Sequence, residues 1–177
     1  MAGSEAEENA IRLVPSLLWI FFIPGLGQYM MGPIQGYCGN VMSKCVFCEI
    51  AEGRLEPDAK VYENESVIAF FDRGAIAPYH TLVVPKRHST NIFDIHEDDL
   101  IAVTRAIKHI CLMYKERLGF ADIQIVSSNG KEAQQDAFHT HFHIVPRHKG
   151  DGQDIAWTSD PTLSAKNEEF LARLNGT

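Results

Sequence analysis

Three histidines at alternate positions, His139, His141 and His143, are the densest chemistry in this 177-residue chain. They lie in Phe138-His139-Thr140-His141-Phe142-His143-Ile144-Val145-Pro146, a run closed by proline. In a β-strand alternate side chains face one side, about 7 Å apart. The spacing predicts one face of imidazoles, with Phe142 and Ile144 turned into a core. Such a face is costly unless it works, because buried imidazoles need partners and charged ones repel. A solvated edge strand fits poorly with the apolar opposite face, which leaves metal binding or catalysis. An imidazole with a bare ring nitrogen can do either near neutral pH, its ordinary pKa being about 6.5.

Other reactive side chains are spaced along the chain. Cys45-Val46-Phe47-Cys48 is a C-x₂-C pair. Alone it serves zinc, redox chemistry or buried thiols equally well. No second C-x₂-C follows, so a zinc ribbon is out, and nothing argues for the oxidising compartment that a disulfide needs. Cys111 falls on an apolar helical stripe and Cys38 in the front segment, and both read as bystanders. His96 and His109 read as cap or surface residues, and Arg147 with His148 as a solvated strand end.

The His-φ-His-φ-His-φ-φ pattern, with φ apolar and Thr140 a mild departure, resembles the histidine triad (HIT) superfamily of nucleotide hydrolases and transferases. Ala77-Pro78-Tyr79-His80-Thr81-Leu82-Val83-Val84-Pro85-Lys86-Arg87-His88 resembles that family's P-x-H-x-L-V-x-P-K-x-H segment. Phe70-Phe71-Asp72, Asn129 and Gln135 fall at matching places. The resemblance runs from Cys45 to about His148 and does not include residues 1–44.

What the resemblance implies is specific. His141 is the nucleophile, which attacks an α-phosphate to give a nucleotidyl-histidine that water then releases. His143 binds phosphate oxygens or the leaving-group side, and His80 sits beside them. Asp72 grips the ribose hydroxyls. Phe47, Ile50 and Phe70 form the apolar slot for a purine base, although each reads equally as plain core. Asn129 and Gln135 make polar contacts to the phosphates or leaving group. Cys45, Cys48, His88 and His139 complete a structural zinc site, as in the zinc-containing Hint-like members. The expected activity is hydrolysis of AMP-X substrates, nucleoside 5′-phosphoramidates. The alternatives are a dinucleoside polyphosphate hydrolase and a non-catalytic nucleotide- or partner-binding module. A homodimer is expected on the same ground.

One feature departs from the family's usual Gly-Gln-Ser/Thr before the triad: here it is Gln134-Gln135-Asp136. A carboxylate aimed at a phosphate is unfavourable in a dry pocket. Asp136 either faces outward or selects a substrate with a cationic group, such as a lysyl or amine moiety.

The elements that must position these residues are legible in coarse form. Lys60 to Glu63 and Val67 to Asp72 read as strands joined by Asn64-Glu65-Ser66. His80 to Pro85, Ile123 to Ser127 and His141 to Val145 read as three more, and Cys45 to Leu55 as a short helix or turn. Leu100, Thr104, Ile107, Cys111, Tyr114 and Leu118 trace a helical stripe after Asp94. Gly119 reads as its stop. A last helix opens at Asp160-Pro161 and ends near Leu174. This predicts an α+β fold with a mainly antiparallel sheet of about five strands, one long helix and shorter flanking helices, and the resemblance implies that it is of the HIT type.

Charge divides the chain into an apolar extension, 1–44, and an acidic body, 45–177, which the resemblance implies is a HIT domain. The formal charge is -7, from 16 Lys+Arg and 23 Asp+Glu, and no charged residue falls between Leu13 and Ser43. An acidic chain without a basic run argues against nucleic-acid binding. The apolar run within residues 11–31 is broken by Pro15, Pro24 and nearby glycines, short of the roughly 20 residues of a spanning helix. Its readings stay open: a docked extension, a membrane-associating hairpin or anchor, or a segment dispensable because Met42 is itself a start. A cytoplasmic protein is expected, with membrane association the weaker alternative.

Overall fold

Two buried, largely apolar runs, Val67–Phe71 and Thr81–Pro85, form the centre of the sheet because both of their faces are covered. The computed structural model describes residues 45–176. The predicted extension over 1–44, its apolar run over 11–31 and Cys38 lie outside the described residues. The elements run α1 (Val46–Ala51), β1 (Lys60–Glu63), β2 (Val67–Phe71), β3 (Thr81–Pro85), α2 (Glu97–Leu118), β4 (Asp122–Val126), β5 (Phe142–Arg147) and α3 (Asn167–Leu174). The five strands are ordered β1-β2-β3-β5-β4 and every neighbouring pair is antiparallel. This is the predicted α+β architecture, a five-stranded antiparallel sheet with one long helix and shorter ones.

Strand alternation sorts the core into two layers. Val67, Ala69, Val83 and Ile144 meet Val103, Ala106, Ile107, Ile110 and Tyr114 of α2 on one face. On the other, Ile68, Phe70, Leu82 and Val84 meet Phe47 and Ile50 of α1. Each fully buried aliphatic side chain gains about 1.5–3 kcal/mol by leaving water. Register pairs Leu82 with His143, which puts His143 on the α1 side.

The long helix starts and stops where its ends are satisfied. His96 Nδ1 accepts from the Asp98 N–H at 3.3 Å, and Glu97, Asp98 and Asp99 occupy the positive end. Gly119 closes it at φ 75°, in the left-handed region, donating its N–H to the Lys115 carbonyl. The buried face overlaps the predicted stripe at Ile107 and Tyr114 but is rotated from it: Val103, Ala106 and Ile110 are also buried, whereas Thr104 and Leu118 face solvent and Leu100 and Cys111 lie at the border. Two stripes one residue apart satisfy the same 3.6-residue repeat, and the small Ala106 lets the helix sit close to the sheet. The last helix ends at Leu174 as predicted but begins at Asn167, after turns from Pro161 onward. Among the described residues no helix is long and apolar enough to cross a membrane.

Candidate active site

The strand that carries the histidines begins later than predicted, at Phe142. His139 and His141 sit in the extended chain just before it. The alternation survives there: Phe47 lies edge-on to both His139 and His141, at 5.8 and 5.3 Å between ring centroids. Thr140 points the other way, buried, where its hydroxyl accepts from Ser89 Oγ at 2.7 Å. The Thr140 N–H donates to the Ser89 carbonyl at 2.7 Å, and that bond pulls this stretch out of the sheet ladder.

Neighbouring hydrogen bonds fix which nitrogen of each ring carries its proton. His139 Nε2 is 2.9 Å from the Pro85 carbonyl, an acceptor, so Nε2 is the donor and Nδ1 is bare. His141 Nδ1 is 2.7 Å from the His139 carbonyl, so Nδ1 is the donor and Nε2 keeps its lone pair. The Ile76 N–H donates to His80 Nδ1 at 3.2 Å. His80 Nε2 therefore holds the proton and donates to His143 Nδ1 at 2.9 Å. That leaves His143 with an N–H on Nε2. Burial, reinforced by His141 and His80, pushes His143 down to about 4 against the opposing pull of Asp72 and Asp136. Burial also lowers His80, opposed by Asp72. Near neutral pH both rings are uncharged.

The loop before β3 aims His80. Tyr79 adopts φ 64°, in the left-handed region, at a cost on the order of 1 kcal/mol. Its ring is held by Phe71, Tyr114 and Phe120, with centroids 6.0, 5.9 and 5.7 Å away. Asp72, just past β2, accepts the Gly74 N–H at 2.8 Å on one carboxylate oxygen. The other oxygen lies 3.5 Å from His80 Nε2 and 3.7 Å from His143 Nδ1.

A cavity of about 200 Å³ opens over this cluster. Phe47, Ile50, Phe70 and Leu82 give it an apolar wall, and Asp72, His141, His143 and Asp136 a polar end. Phe47, Ile50 and Phe70 thus belong at once to the core and to the wall. An Arg73–Asp58 pair, at 2.9 and 3.1 Å, sits at its exposed mouth. A second, more open cleft of about 540 Å³ shares Asp72, Asp136 and His143 with the first.

Two predicted residues stand apart from this cavity. Gln135 is buried, donates to the Thr90 and Ala137 carbonyls and accepts the Gly130 N–H. Asn129 accepts the Ile92 N–H and donates to Ser127. Their amides hold the loop before the triad, and neither lines the two clefts. The turn-strained Tyr79 and the Arg73–Asp58 pair carried no recognisable signal in the sequence.

Cys45, Cys48, His88 and His139 converge at the edge of the same region. Cys45 Sγ to His139 Nδ1 is 3.3 Å, Cys48 Sγ to His88 Nδ1 3.3 Å, and the two Nδ1 atoms are 3.2 Å apart. Burial and the adjacent Cys45 push the Cys48 thiol up to about 11, so thiolate there requires a cation. The donor set, the spacing and the bare Nδ1 of His139 fit a tetrahedral metal ion.

A family model described as "HIT domain" matches residues 54–150. An uncharacterized HIT-like protein of Saccharolobus solfataricus is 40% identical over 129 residues, 73% of this chain and 84% of the relative. The adenosine 5′-monophosphoramidase HNT1 of Saccharomyces cerevisiae is 30% identical over 138 residues, 75% of this chain and 84% of the relative. The crystal structure of a Zn-bound histidine triad family protein from Mycobacterium smegmatis superposes with a TM-score of 0.59 at 31% identity, covering 76% of this chain and 97% of that one.

Proposed function

Because this chain belongs to the HIT family, we propose that it hydrolyses nucleoside 5′-phosphoramidates at the α-phosphate through a nucleotidyl-His141 intermediate. The observation that carries the reading is the bare Nε2 of His141. The residue is 4% exposed, it lines the cavity, and that nitrogen has no hydrogen-bond partner among the described residues.

In the first step the His141 Nε2 lone pair attacks phosphorus. The P–N bond breaks, and its nitrogen, protonated beforehand, leaves with the electron pair as a neutral amine. The phosphorylated imidazole keeps its Nδ1–H on the His139 carbonyl, where the positive charge is stabilised. Water then attacks phosphorus and the bond to Nε2 breaks. One water proton stays on the phosphate and the other goes to solvent. The His143 Nε2–H donates to a phosphate oxygen, oriented by His80. Asp72 holds the ribose hydroxyls and the Phe47, Ile50 and Phe70 wall takes a purine. The 30%-identical yeast phosphoramidase supports this substrate class over a dinucleoside polyphosphate.

We assign zinc to Cys45, Cys48, His88 and His139, where a bound ion would be structural, tying α1, the segment after β3 and the triad together. A homodimer belongs to the same reading.

The test is AMP release from adenosine 5′-phosphoramidate and from a dinucleoside polyphosphate, with His141→Ala as the control. No release from either substrate would sink the enzymatic reading. Release that persists in the variant would remove His141 as nucleophile.

A further inference from the structure

Asp136 stands on the wall common to two clefts. The smaller is lined by His141 and the apolar wall, and the larger extends past His143 toward Gln153 and Asp154. If the nucleoside occupies the smaller one, a group leaving from phosphorus opposite His141 departs into the larger. The character of the larger cleft therefore decides what can leave.

That character is anionic. Asp72, Asp136 and Asp154 line it, His80 and His143 line it as neutral rings, and no Lys or Arg is among its lining residues. The cations beside these walls are already engaged. Arg73 is paired with Asp58, and Arg147 donates to Asp151 at 2.7 and 2.9 Å and to Asp154 at 3.2 Å. Among the described residues Asp136 has no cation partner: its Oδ1 accepts the N–H of Ala137 at 2.8 Å, and its side chain is exposed to the cleft. A leaving group built of phosphates would enter this cleft against like charge and without a counter-ion.

We propose that Asp136 is a specificity-determining residue that selects leaving groups carrying a positive charge, such as the amine of an amino-acid or polyamine side, and rejects polyphosphate leaving groups. This rests on the phosphoramidate reading and narrows it. The chemistry agrees with the position. The nitrogen of a phosphoramidate must be protonated to leave as a neutral amine. A carboxylate beside it favours that protonated form and attracts any further ammonium on the same group. Against a phosphate-bearing leaving group the same carboxylate acts as a repulsive element.

The experiment compares kcat/KM of the full chain and its Asp136→Asn and Asp136→Ser variants. The substrates are AMP joined through P–N to the side-chain amine of lysine, and a dinucleoside polyphosphate. Both variants alter an exposed side chain, and thermal melts check that they fold. The ratio of the two kcat/KM values should fall roughly tenfold or more in each variant, the scale of one partly desolvated ion pair. In the unsubstituted chain it should also fall with added salt. A ratio unmoved by either substitution overturns the role of Asp136 and leaves the phosphoramidate reading standing. A chain that prefers the polyphosphate overturns the selectivity itself. Absence of turnover on both substrates overturns the proposed function and this inference with it.

Discussion

His80 Nε2 lies 2.9 Å from His143 Nδ1, and only one of these two nitrogens can hold a proton in that contact. The Ile76 N–H, donating to the far side of the His80 ring, decides which. A backbone amide in the loop before β3 thereby sets which face of His143 presents a donor to the cavity.

That chain makes His80 a positioning residue. His80→Ala should lower kcat about 10- to 100-fold, the usual cost of removing a supporting partner, with KM changing much less. His80→Gln, which can keep a donor near His143, should recover part of the loss. Steady-state kinetics on adenosine 5′-phosphoramidate would show it, and an unchanged kcat in the alanine variant would refute the role.

Stability should depend on pH with a definite sign. His143 titrates near 4 in the fold because of burial and its histidine neighbours, against about 6.5 in an unfolded chain. Between those values the unfolded chain binds a proton that the folded one refuses, so stability rises with pH. The contribution is complete above about pH 6.5 and is lost as pH falls through about 4, at up to about 1.4 kcal/mol per pH unit for this one group. His80 shifts in the same direction. Urea midpoints at pH 7 and pH 5 check this. His143→Asn should flatten the difference, and an equally steep loss in that variant would remove the assignment.

The Cys45, Cys48, His88 and His139 cluster gives a third expectation. Purified protein should contain about one zinc ion per chain, and a chelator or Cys48→Ser should lower Tm by more than about 10 °C. Cys111→Ser, outside the cluster, should leave metal content and Tm near the starting values. Metal analysis finding no zinc in the unsubstituted chain would end this reading.

The observed face of α2 can be tested against the predicted one. Ile110→Ala should cost about 2–5 kcal/mol, because Ile110 is fully buried against the sheet. Leu118→Ala, on the predicted stripe but exposed, should stay within about 0.5 kcal/mol. Equal losses in chemical denaturation would mean that the helix packs differently.

These contrasts mark what was legible in the residues. The strands were readable because apolar runs end at strong punctuation. Asn64 closes the β1–β2 turn by accepting the N–H groups of Ser66 and Val67 at 2.9 and 2.8 Å. The face of α2 was readable only in part: Ile107 and Tyr114 are buried as read, but the same spacing accommodates two adjacent stripes and only the sheet chooses. The pattern of alternate histidines pointed to one side of the chain even where the ladder is absent. Residue type alone did not show that the Asn129 and Gln135 amides, which match a ligand contact in kind, are engaged by backbone in the fold. Asp136 stood out as a departure, yet only the geometry showed it on a wall between two clefts.

Phe47 and Phe70 belong both to the packed layer under α1 and to the cavity wall. Enlarging that wall to admit a bulkier base would therefore open a void in the fold, and narrowing it would push α1 away from the sheet. Retargeting this scaffold has an inexpensive direction and an expensive one. The rim at Asp58, Arg73 and Asp136 can be rewritten in many ways without unfolding the chain, while the floor resists change. Libraries meant to alter its substrate range should be built on the rim alone.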